Sequence, residues 1–386
     1  MILNNMPRNK KKIIRSVTVP QSIGFFEEVM MRLKDEGYEL VVVTSPGTEL
    51  DAFSQRHPKE KIIEVPMERR ISLTKDLKSL WQMIEGMRKE KPYMVHSMTP
   101  KAGLLSMIAG WLTGVPIRIH TFTGLVWPTT TGLKRKILMF TDWLTCACAT
   151  HIIPEGQGVM DDLHQHITKK TMKVLGHGNV RGVDMERFNP ARFTEVKKTE
   201  TEFRFIFVGR IVGDKGINEL VEAFVRLNSK FPATKLTLVG KYEANLDPIK
   251  PETLKAIEEN SCIDACGPRY GDDLLVEYMK SHCFVMPSYR EGFPNTVMEA
   301  GAMGLPSVVT DINGSREIII HGENGFIVPT KDVDALYEAM KRMLLDTVSY
   351  KQMAVNARPL IESRFEKSFV QGCLIEYYDE ILKNQQ

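Results

Sequence analysis

Residues 287–310, PSYREGFPNTVMEAGAMGLPSVVT, are the most informative about the fold. The apolar runs on either side, at 282–286 and 307–310, are typical of short buried strands. Between them, Pro294 suits the first turn of a helix and Gly304 suits its carboxyl end. The pattern therefore predicts a strand, a helix and a second parallel strand, with a loop at the carboxyl end of the first strand.

The loop before this helix has the chemistry of an anion site, because a helix N-terminus presents free N–H groups that bind phosphate. Two carboxylates flank it: Glu291 in the loop, and Glu299 on the helix face that also carries Asn295. A simple phosphate site has no use for carboxylates, so the pair favours a ligand with hydroxyls: Glu299 would bind a ribose and Glu291 a sugar. The alternative is that Glu291 and Glu299 bind no ligand and are solvated acids, which the positive end of the helix dipole favours.

The segment EGFPNTVMEA at 291–300 resembles the E-x7-E signature of retaining GT-B glycosyltransferases, especially those of family 4. The resemblance extends along essentially the whole chain, weakly in the first-domain loops and strongly over 203–330. It implies an α/β GT-B fold, in which two Rossmann-like domains face each other across a cleft and a C-terminal helix crosses back to the first domain.

A second motif, VGR followed by KG, comes directly after the predicted strand 203–208. Arg210 offers a planar fork and Lys215 a point charge, and two such cations can hold one diphosphate. The motif resembles the family's donor-phosphate loop. The resemblance implies that Arg210, Lys215 and Glu291 are catalytic. The donor-binding residues it implies are Gly209, Arg269, Gly292, Phe293, Pro294, Asn295, Thr296 and Glu299.

Loops of the first domain resemble the family's acceptor side of the cleft. Ser22 and Gly24 follow the first predicted strand, where parallel sheets open to ligands, although a glycine there is also explained by turn geometry. Lys101 opens a helix, so it either meets an anion or is a solvated surface lysine. Family members often have a histidine before the next glycine. Here Thr123 stands there and is expected to line the cleft, while His120, three residues earlier, suits an interior histidine.

The length of 386 residues predicts two domains. We place the N-terminal acceptor-binding domain at 1–190, a linker at 191–201 and the nucleotide-sugar-binding domain at 202–364. The helix predicted at 365–386 resembles the family's terminal helix, which packs back on the first domain.

The formal charge of +3 conceals an asymmetry. Residues 1–190 contain 27 Lys and Arg against 19 Asp and Glu, and the remainder contains 24 against 29. The first half is thus expected to meet an acidic partner such as anionic lipid or a phosphorylated acceptor, and no nucleic-acid motif accompanies its basic residues. The amphipathic segment 132–149, with its basic first turn, is either a helix that rests on an anionic membrane or a core helix with a charged end.

No apolar run reaches the roughly 20 residues of a membrane span, and a basic, disordered tail rather than a signal peptide is expected before the first strand at 13–19. Six cysteines in a chain of this size suggest buried thiols in a reducing cytoplasm. Acidic residues at 332–334 suit the first turn of a helix better than a metal site. We expect a cytoplasmic protein, at the inner face of the cytoplasmic membrane if the acceptor is lipid-linked.

The resemblance implies transfer of a hexose or N-acetylhexosamine from a UDP-sugar, with retention, to a glycan or polyprenyl-diphosphate-linked acceptor in the synthesis of capsule, O-antigen or exopolysaccharide. No metal or other cofactor is expected, because Arg210, Lys215 and the amides after Gly292 would stabilise the leaving diphosphate. Two alternatives remain: a nucleotide-sugar epimerase of the same fold, or a non-catalytic binding subunit of a glycan-assembly complex. The sugar, the linkage and the oligomeric state are left open.

Overall fold

The computed structural model describes residues 12–68, 72–243 and 247–384, and the predicted basic tail lies outside them except for Lys12. The chain divides into two compact units: unit 1 is 1–175 with 371–386, and unit 2 is 176–370. The sequence analysis placed its boundaries at 190, 201 and 364. Within the described ranges, no helix has both the length and the apolar composition needed to cross a bilayer.

Unit 1 contains one parallel sheet of six strands in the order β3-β2-β1-β4-β5-β6. The strands are β1 Lys12–Ser16, β2 Glu39–Thr44, β3 Lys61–Glu64, β4 Met94–Met98, β5 Ile117–Phe122 and β6 His151–Pro154. The helices between them are α1 Glu27–Asp35, α2 Thr48–Arg56, α3 Leu73–Glu90, α4 Pro100–Leu112, α5 Gly132–Cys148 and α6 Gln157–His166. The sequence pattern at 25–36 predicts a helix, but helix α1 begins two residues later, because Pro20–Phe25 forms a 3₁₀ helix first.

Unit 2 repeats the plan, with a parallel sheet in the order β12-β11-β10-β7-β8-β9. The strands are β7 Phe203–Val208, β8 Thr234–Val239, β9 Ile263–Gly267, β10 Cys283–Met286, β11 Ser307–Thr310 and β12 Gly325–Val328. The helices are α7 Ile217–Lys230, α8 Pro251–Glu259, α9 Gly271–Lys280, α10 Asn295–Ala302, α11 Ser315–Ile318, α12 Val333–Leu345, α13 Thr347–Phe365 and α14 Lys367–Lys383. From Gln371 onward α14 belongs to unit 1, as the predicted return of the terminal helix requires.

The order of strands fixes where each unit can bind a ligand. In both sheets the chain runs outward in one direction for three strands and then crosses back to continue on the other side. The loops after the two central strands therefore diverge and leave a crevice at the carboxyl edge, the topological switch point. This crevice lies between β1 and β4 in unit 1 and between β7 and β10 in unit 2.

A buried polar cluster holds α14 against the unit 1 sheet. Arg15 on β1 is 1% exposed and donates to Nδ1 of His96 at 2.9 Å and to the Tyr378 hydroxyl on α14. Because burial and the Arg15 charge keep the pKa of His96 well below its usual value, its ring is neutral and bonds to Thr121 at 2.7 Å through Nε2. These partners of the buried guanidinium are uncharged, so each hydrogen bond to it matters for stability.

We expect Tyr378→Phe to destabilise unit 1 by about 1–3 kcal/mol, because it removes an acceptor from a buried charged donor. All four tryptophans of the chain lie in unit 1, so urea unfolding followed by tryptophan fluorescence reports on this unit. Tyr377→Phe is the matched control, since Tyr377 contacts Lys173 and His151 through its ring, which phenylalanine keeps. Equal effects of the two substitutions would contradict the role given to the Tyr378 hydroxyl.

Candidate functional site

Two loops flank the switch point of unit 2, and they carry the motifs singled out in the sequence. The loop after β7 contains Arg210 and Lys215, and the loop after β10 contains Glu291 and Gly292. Strands β7 and β10 are hydrogen-bonded neighbours, so the two loops leave the sheet side by side. Residues that are about 80 positions apart in sequence therefore share one crevice.

An ion pair joins the two loops. Lys215 Nζ donates to Glu291 Oε1, and their side chains are only 17% and 15% exposed. The loops are also close in backbone terms, because a Cβ on Gly216 would lie 2.1 Å from the Pro287 carbonyl oxygen, and Gly216 has φ +70°. A residue with a side chain would push the loops apart, so the glycine of the KG motif is required for the contact between Lys215 and Glu291.

Arg210 lies in the same loop but takes a different partner. Its guanidinium is exposed and meets Glu243 at 3.4 Å, in a pair whose side chains are 45% and 30% exposed. An exposed pair of this kind contributes about 0–1 kcal/mol, so Arg210 can exchange Glu243 for a stronger anion at low cost. Gly209, which precedes it, is half-buried at the end of β7.

Asp247 fixes the turn that carries Lys215. Its backbone oxygen accepts from Gly213 N at 3.0 Å, and its carboxylate accepts from Asp214 N at 2.6 Å. Asp214 in turn lies 3.5 Å from Arg290 in the neighbouring loop. The sequence analysis missed Asp247, because no local motif marks a residue more than thirty positions beyond the turn that it supports.

The start of α10 differs from the prediction by one residue. Pro294 precedes the helix as its N-cap instead of occupying the first turn, since its extended backbone lets its carbonyl accept from Val297 N at 3.2 Å. The Phe293 ring is buried against Phe365, with ring centroids 5.4 Å apart, so only the Phe293 backbone can face a ligand. The backbone of Gly314 packs directly against this loop, because a Cβ on Gly314 would lie only 2.3 Å from the Gly292 backbone oxygen.

Glu299 lies one turn into α10, among positive charges that the sequence analysis did not place there. Burial raises the pKa of Glu299, whereas Arg181, Arg187 and the hydroxyl of the buried Tyr278 oppose that rise. Arg181 and Arg187 belong to the glycine-rich segment 175–190, nearly all of which lies in unit 2. Arg181 and Arg187 favour the ionised form of Glu299, and an ionised carboxylate is a strong acceptor for the hydroxyls of a diol.

The same glycine-rich segment also contacts the other polar residue on this face of α10. Asn179 is 3% exposed, adopts φ +64° and donates to Asn295 Oδ1 at 3.4 Å. Asparagine tolerates the left-handed region better than most residues, because its side chain bonds to nearby backbone; here Asn179 Oδ1 accepts from Arg181 N and Gly182 N. The tripeptide HGN at 177–179 is a sequence signal for a turn with positive φ, but it does not predict that Asn179 lies beside α10.

Two predicted donor-binding residues lie less close to the ion pair. Arg269 is exposed after β9, which is two strands away from β7 at the same edge of the sheet. Thr296 is half-buried in the first turn of α10, and its hydroxyl faces the Met286 sulfur at 3.8 Å. The positions of Arg269 and Thr296 agree with an extended ligand along the carboxyl edge, but their roles stay predictions.

Unit 1 also brings its candidate loops to a switch point. Thr18 after β1 and Thr99 after β4 are joined by two hydrogen bonds of 2.9 and 2.8 Å. Ser22 is half-buried and Gly24 is exposed with open space around its Cβ direction. Thr99 has φ +71°, which is rare for a β-branched residue and which the sequence analysis did not foresee.

The remaining unit 1 candidates have defined partners. Lys101 is not a solvated lysine, because its side chain is 10% exposed and meets Asp76 at 2.6 Å. Thr123 is half-buried just after β5. His120 is the interior histidine that was expected: it is 1% exposed, it lies 2.9 Å from the Ser97 hydroxyl, and burial lowers its pKa to about 3.

The acidic run at 332–334 begins helix α12, where Asp332 caps Ala335 N at 2.9 Å. All six cysteines are free thiols. In the described parts of the chain, no three or more His, Cys, Asp or Glu side chains are grouped to hold a metal ion.

Family models match both units. The model described as glycosyl transferases group 1 matches residues 189–359, and the glycosyl transferase 4-like domain matches residues 25–174. The first match covers the loops that carry Lys215 and Glu291, and the second begins just after Gly24.

Two relatives align over most of the chain. The capsular polysaccharide biosynthesis glycosyltransferase CapM of Staphylococcus aureus is 32% identical over 97% of this chain and 99% of its own length. The UDP-Gal:alpha-D-GlcNAc-diphosphoundecaprenol alpha-1,3-galactosyltransferase of Escherichia coli is 30% identical over 77% of this chain and 78% of its own length. Among solved structures, Anabaena Alr3699/HepE in complex with UDP and glucose has a TM-score of 0.77 at 16% identity, covering 96% of this chain and all of that one, which supports the GT-B fold.

Proposed function

The chain belongs to the group 1 glycosyl transferases, in the GT-B family 4, and from this premise we propose that it transfers a sugar from a UDP-sugar to a lipid-linked glycan with retention. The observation that carries the proposal is the ion pair of Lys215 and Glu291 at the unit 2 switch point, beside the start of α10. It joins a cation for a diphosphate to a carboxylate for sugar hydroxyls in one crevice.

The nature of donor and acceptor is inferred from the relatives. The Escherichia coli enzyme is named for a UDP-galactose donor and a diphosphoundecaprenol-linked acceptor, and the Staphylococcus aureus enzyme for capsular polysaccharide biosynthesis. We infer that this chain takes a UDP-hexose or UDP-N-acetylhexosamine and extends a polyprenyl-diphosphate-linked glycan of a cell-surface polysaccharide. Such an acceptor would place the enzyme at the inner face of the cytoplasmic membrane.

The reaction breaks the bond between the anomeric carbon and the UDP oxygen, and it forms a bond from that carbon to an acceptor hydroxyl oxygen. Lys215 and Arg210 would stabilise the charge that develops on the leaving UDP, together with amides at the start of α10. Glu291 would hold the sugar through its hydroxyls and Glu299 the ribose. With front-face attack, the leaving phosphate oxygen takes the acceptor's proton, and the products are UDP and the extended glycan.

An assay with a panel of UDP-sugars, with and without GlcNAc-diphosphoundecaprenol in detergent micelles, tests this function. We expect a glycosylated product only when both substrates are present, with the anomeric configuration of the donor retained in the NMR spectrum of the product. Conversion of the donor to an epimer without acceptor would instead identify an epimerase. Donor binding without turnover would identify a binding subunit, and an inverted anomeric centre would exclude retention.

We further propose that the reaction needs no divalent metal, because Arg210 and Lys215 supply the positive charge that a metal would otherwise bring to the diphosphate. Transfer rates measured in excess EDTA are expected to equal those in its absence. Magnesium or manganese added after chelation should not raise the rate. A rate that collapses with EDTA and returns with a metal would overturn this part of the proposal.

A further inference from the structure

Helices α3, α4 and α5 form one layer on a single face of the unit 1 sheet. Each connects parallel strands in the same direction, from β3 to β4, β4 to β5 and β5 to β6, and right-handed crossovers place such helices on one side. Helix α4 packs against both α3 and α5, so it lies between them. The layer therefore has a continuous outer surface formed by three neighbouring helices.

Each of the three helices exposes large apolar side chains. On α3, Leu77 and Trp81 follow one another at a spacing of one turn, 66% and 58% exposed. On α5, the stacked rings of Phe140 and Trp143 are 58% and 48% exposed, whereas Thr145 and Cys146 nearer the end of the helix are buried. We call the apolar face the set Leu77, Trp81, Trp111, Leu133, Phe140 and Trp143, all of them exposed.

The tryptophans show how unusual this surface is. Three of the four tryptophans in the chain lie on the apolar face, and only Trp127 is buried. Isolated exposed apolar residues are common, but six large apolar side chains exposed on one layer of helices favour a surface that meets a partner or a membrane. Tryptophan is also the residue that favours the boundary between lipid headgroups and acyl chains.

The charges beside the apolar face select among partners. The start of helix α5 carries Lys134, Arg135 and Lys136, of which Lys134 and Lys136 are exposed. Between residues 100 and 150 the sequence contains a single acid, the half-buried Asp142, whose pKa burial raises to about 7. A two-fold contact that joins the basic start of α5 to itself would bring like charges together, although α3 also carries the exposed acid Glu85 one turn after Trp81. An anionic surface matches both the charge and the apolar side chains.

We propose that the apolar face docks the protein on anionic phospholipid, with its rings at the headgroup level and the basic residues at 134–136 on lipid phosphates. This contact would hold unit 1 at the membrane surface, and it does not depend on the identity of the donor sugar. It gives the proposed function a physical route to an acceptor whose lipid tail is embedded in the bilayer.

Sedimentation of the full chain with vesicles tests the proposal. We expect binding to vesicles that contain phosphatidylglycerol, a blue shift of tryptophan fluorescence from the exposed rings, and weaker binding at high salt. The double variant Phe140→Gln/Trp143→Gln should lose the binding. Lys134→Gln/Lys136→Gln should weaken it about 25-fold, since each basic residue at an anionic surface contributes about fivefold.

The matched controls are Val355→Gln, at an exposed residue of unit 2, and Lys341→Gln, at a half-exposed one; both should bind as the unchanged protein does. Equal binding to phosphatidylcholine alone, or unchanged binding of both double variants, would overturn the proposal. The proposal would also be overturned if the chain bound no vesicles and instead self-associated in a way that Phe140→Gln/Trp143→Gln abolishes. The vesicle experiment contains neither donor nor acceptor, so its outcome is independent of the transfer assay. A chain that binds vesicles but fails in the transfer assay would support this inference and overturn the proposed function.

Discussion

Replacing Glu291 with alanine is expected to lower kcat by about two orders of magnitude or more, as removal of one preorganised polar contact usually does. The Glu291 side chain is 15% exposed and is held by Lys215, so it does not need to be ordered when substrate binds. If it orients the transferred sugar in the transition state, the loss falls on kcat more than on the donor KM. Steady-state rates in the transfer assay measure both.

Two further variants separate the chemistry of Glu291 from its effect on folding. Glu291→Gln keeps the volume and one acceptor but removes the charge, so a large loss there points to the carboxylate itself. Glu338→Ala is the control, because Glu338 is 62% exposed on α12 of the same unit and also pairs with a lysine, Lys341. A turnover of Glu291→Ala equal to that of Glu338→Ala would contradict the assignment of Glu291.

Local pattern was sufficient to predict much of the framework of both units. Strands β7 and β11 have the predicted bounds, because each is a short apolar run with a clear turn at its ends. Boundaries shifted where short-range geometry competes with the period, as at Pro20–Phe25, where a 3₁₀ helix delays α1. The spacing of apolar residues does not show that both sheets serve one reaction. That inference came from the family resemblance.

Contacts between distant residues could not be predicted in this way. Lys215 and Glu291 are 76 positions apart, and only the strand order of unit 2 brings their loops together. The link of Arg15 to Tyr378 spans 363 positions and follows from the return of α14 to unit 1. No periodic pattern places Asn179 beside α10 either. The conformation and position of a loop residue with positive φ depend on the residues that pack around it.

Lys215→Ala is expected to lower kcat/KM by a factor of about 10²–10³, because it removes a cation from the place where the leaving diphosphate gains charge. The Lys215 side chain is 17% exposed, so its field is less screened by water and salt than that of a surface lysine. Lys215→Arg should restore only part of the rate, since a planar fork differs in reach from a compact ammonium group. The transfer assay with saturating acceptor measures these ratios.

Binding of UDP alone distinguishes the two possible roles of Lys215. UDP has the diphosphate but no sugar, so Lys215→Ala should weaken UDP binding in calorimetric titration, whereas Glu291→Ala should leave it unchanged. If Lys215 served only to hold Glu291, UDP would bind equally to both variants, and the double variant would be no slower than Glu291→Ala. We expect a further loss in the double variant, because a diphosphate interacts with the ammonium group directly. The ion pair of Lys341 and Glu338, at 3.1 Å on α12, is the control cycle, in which neither single nor double substitution should change UDP binding.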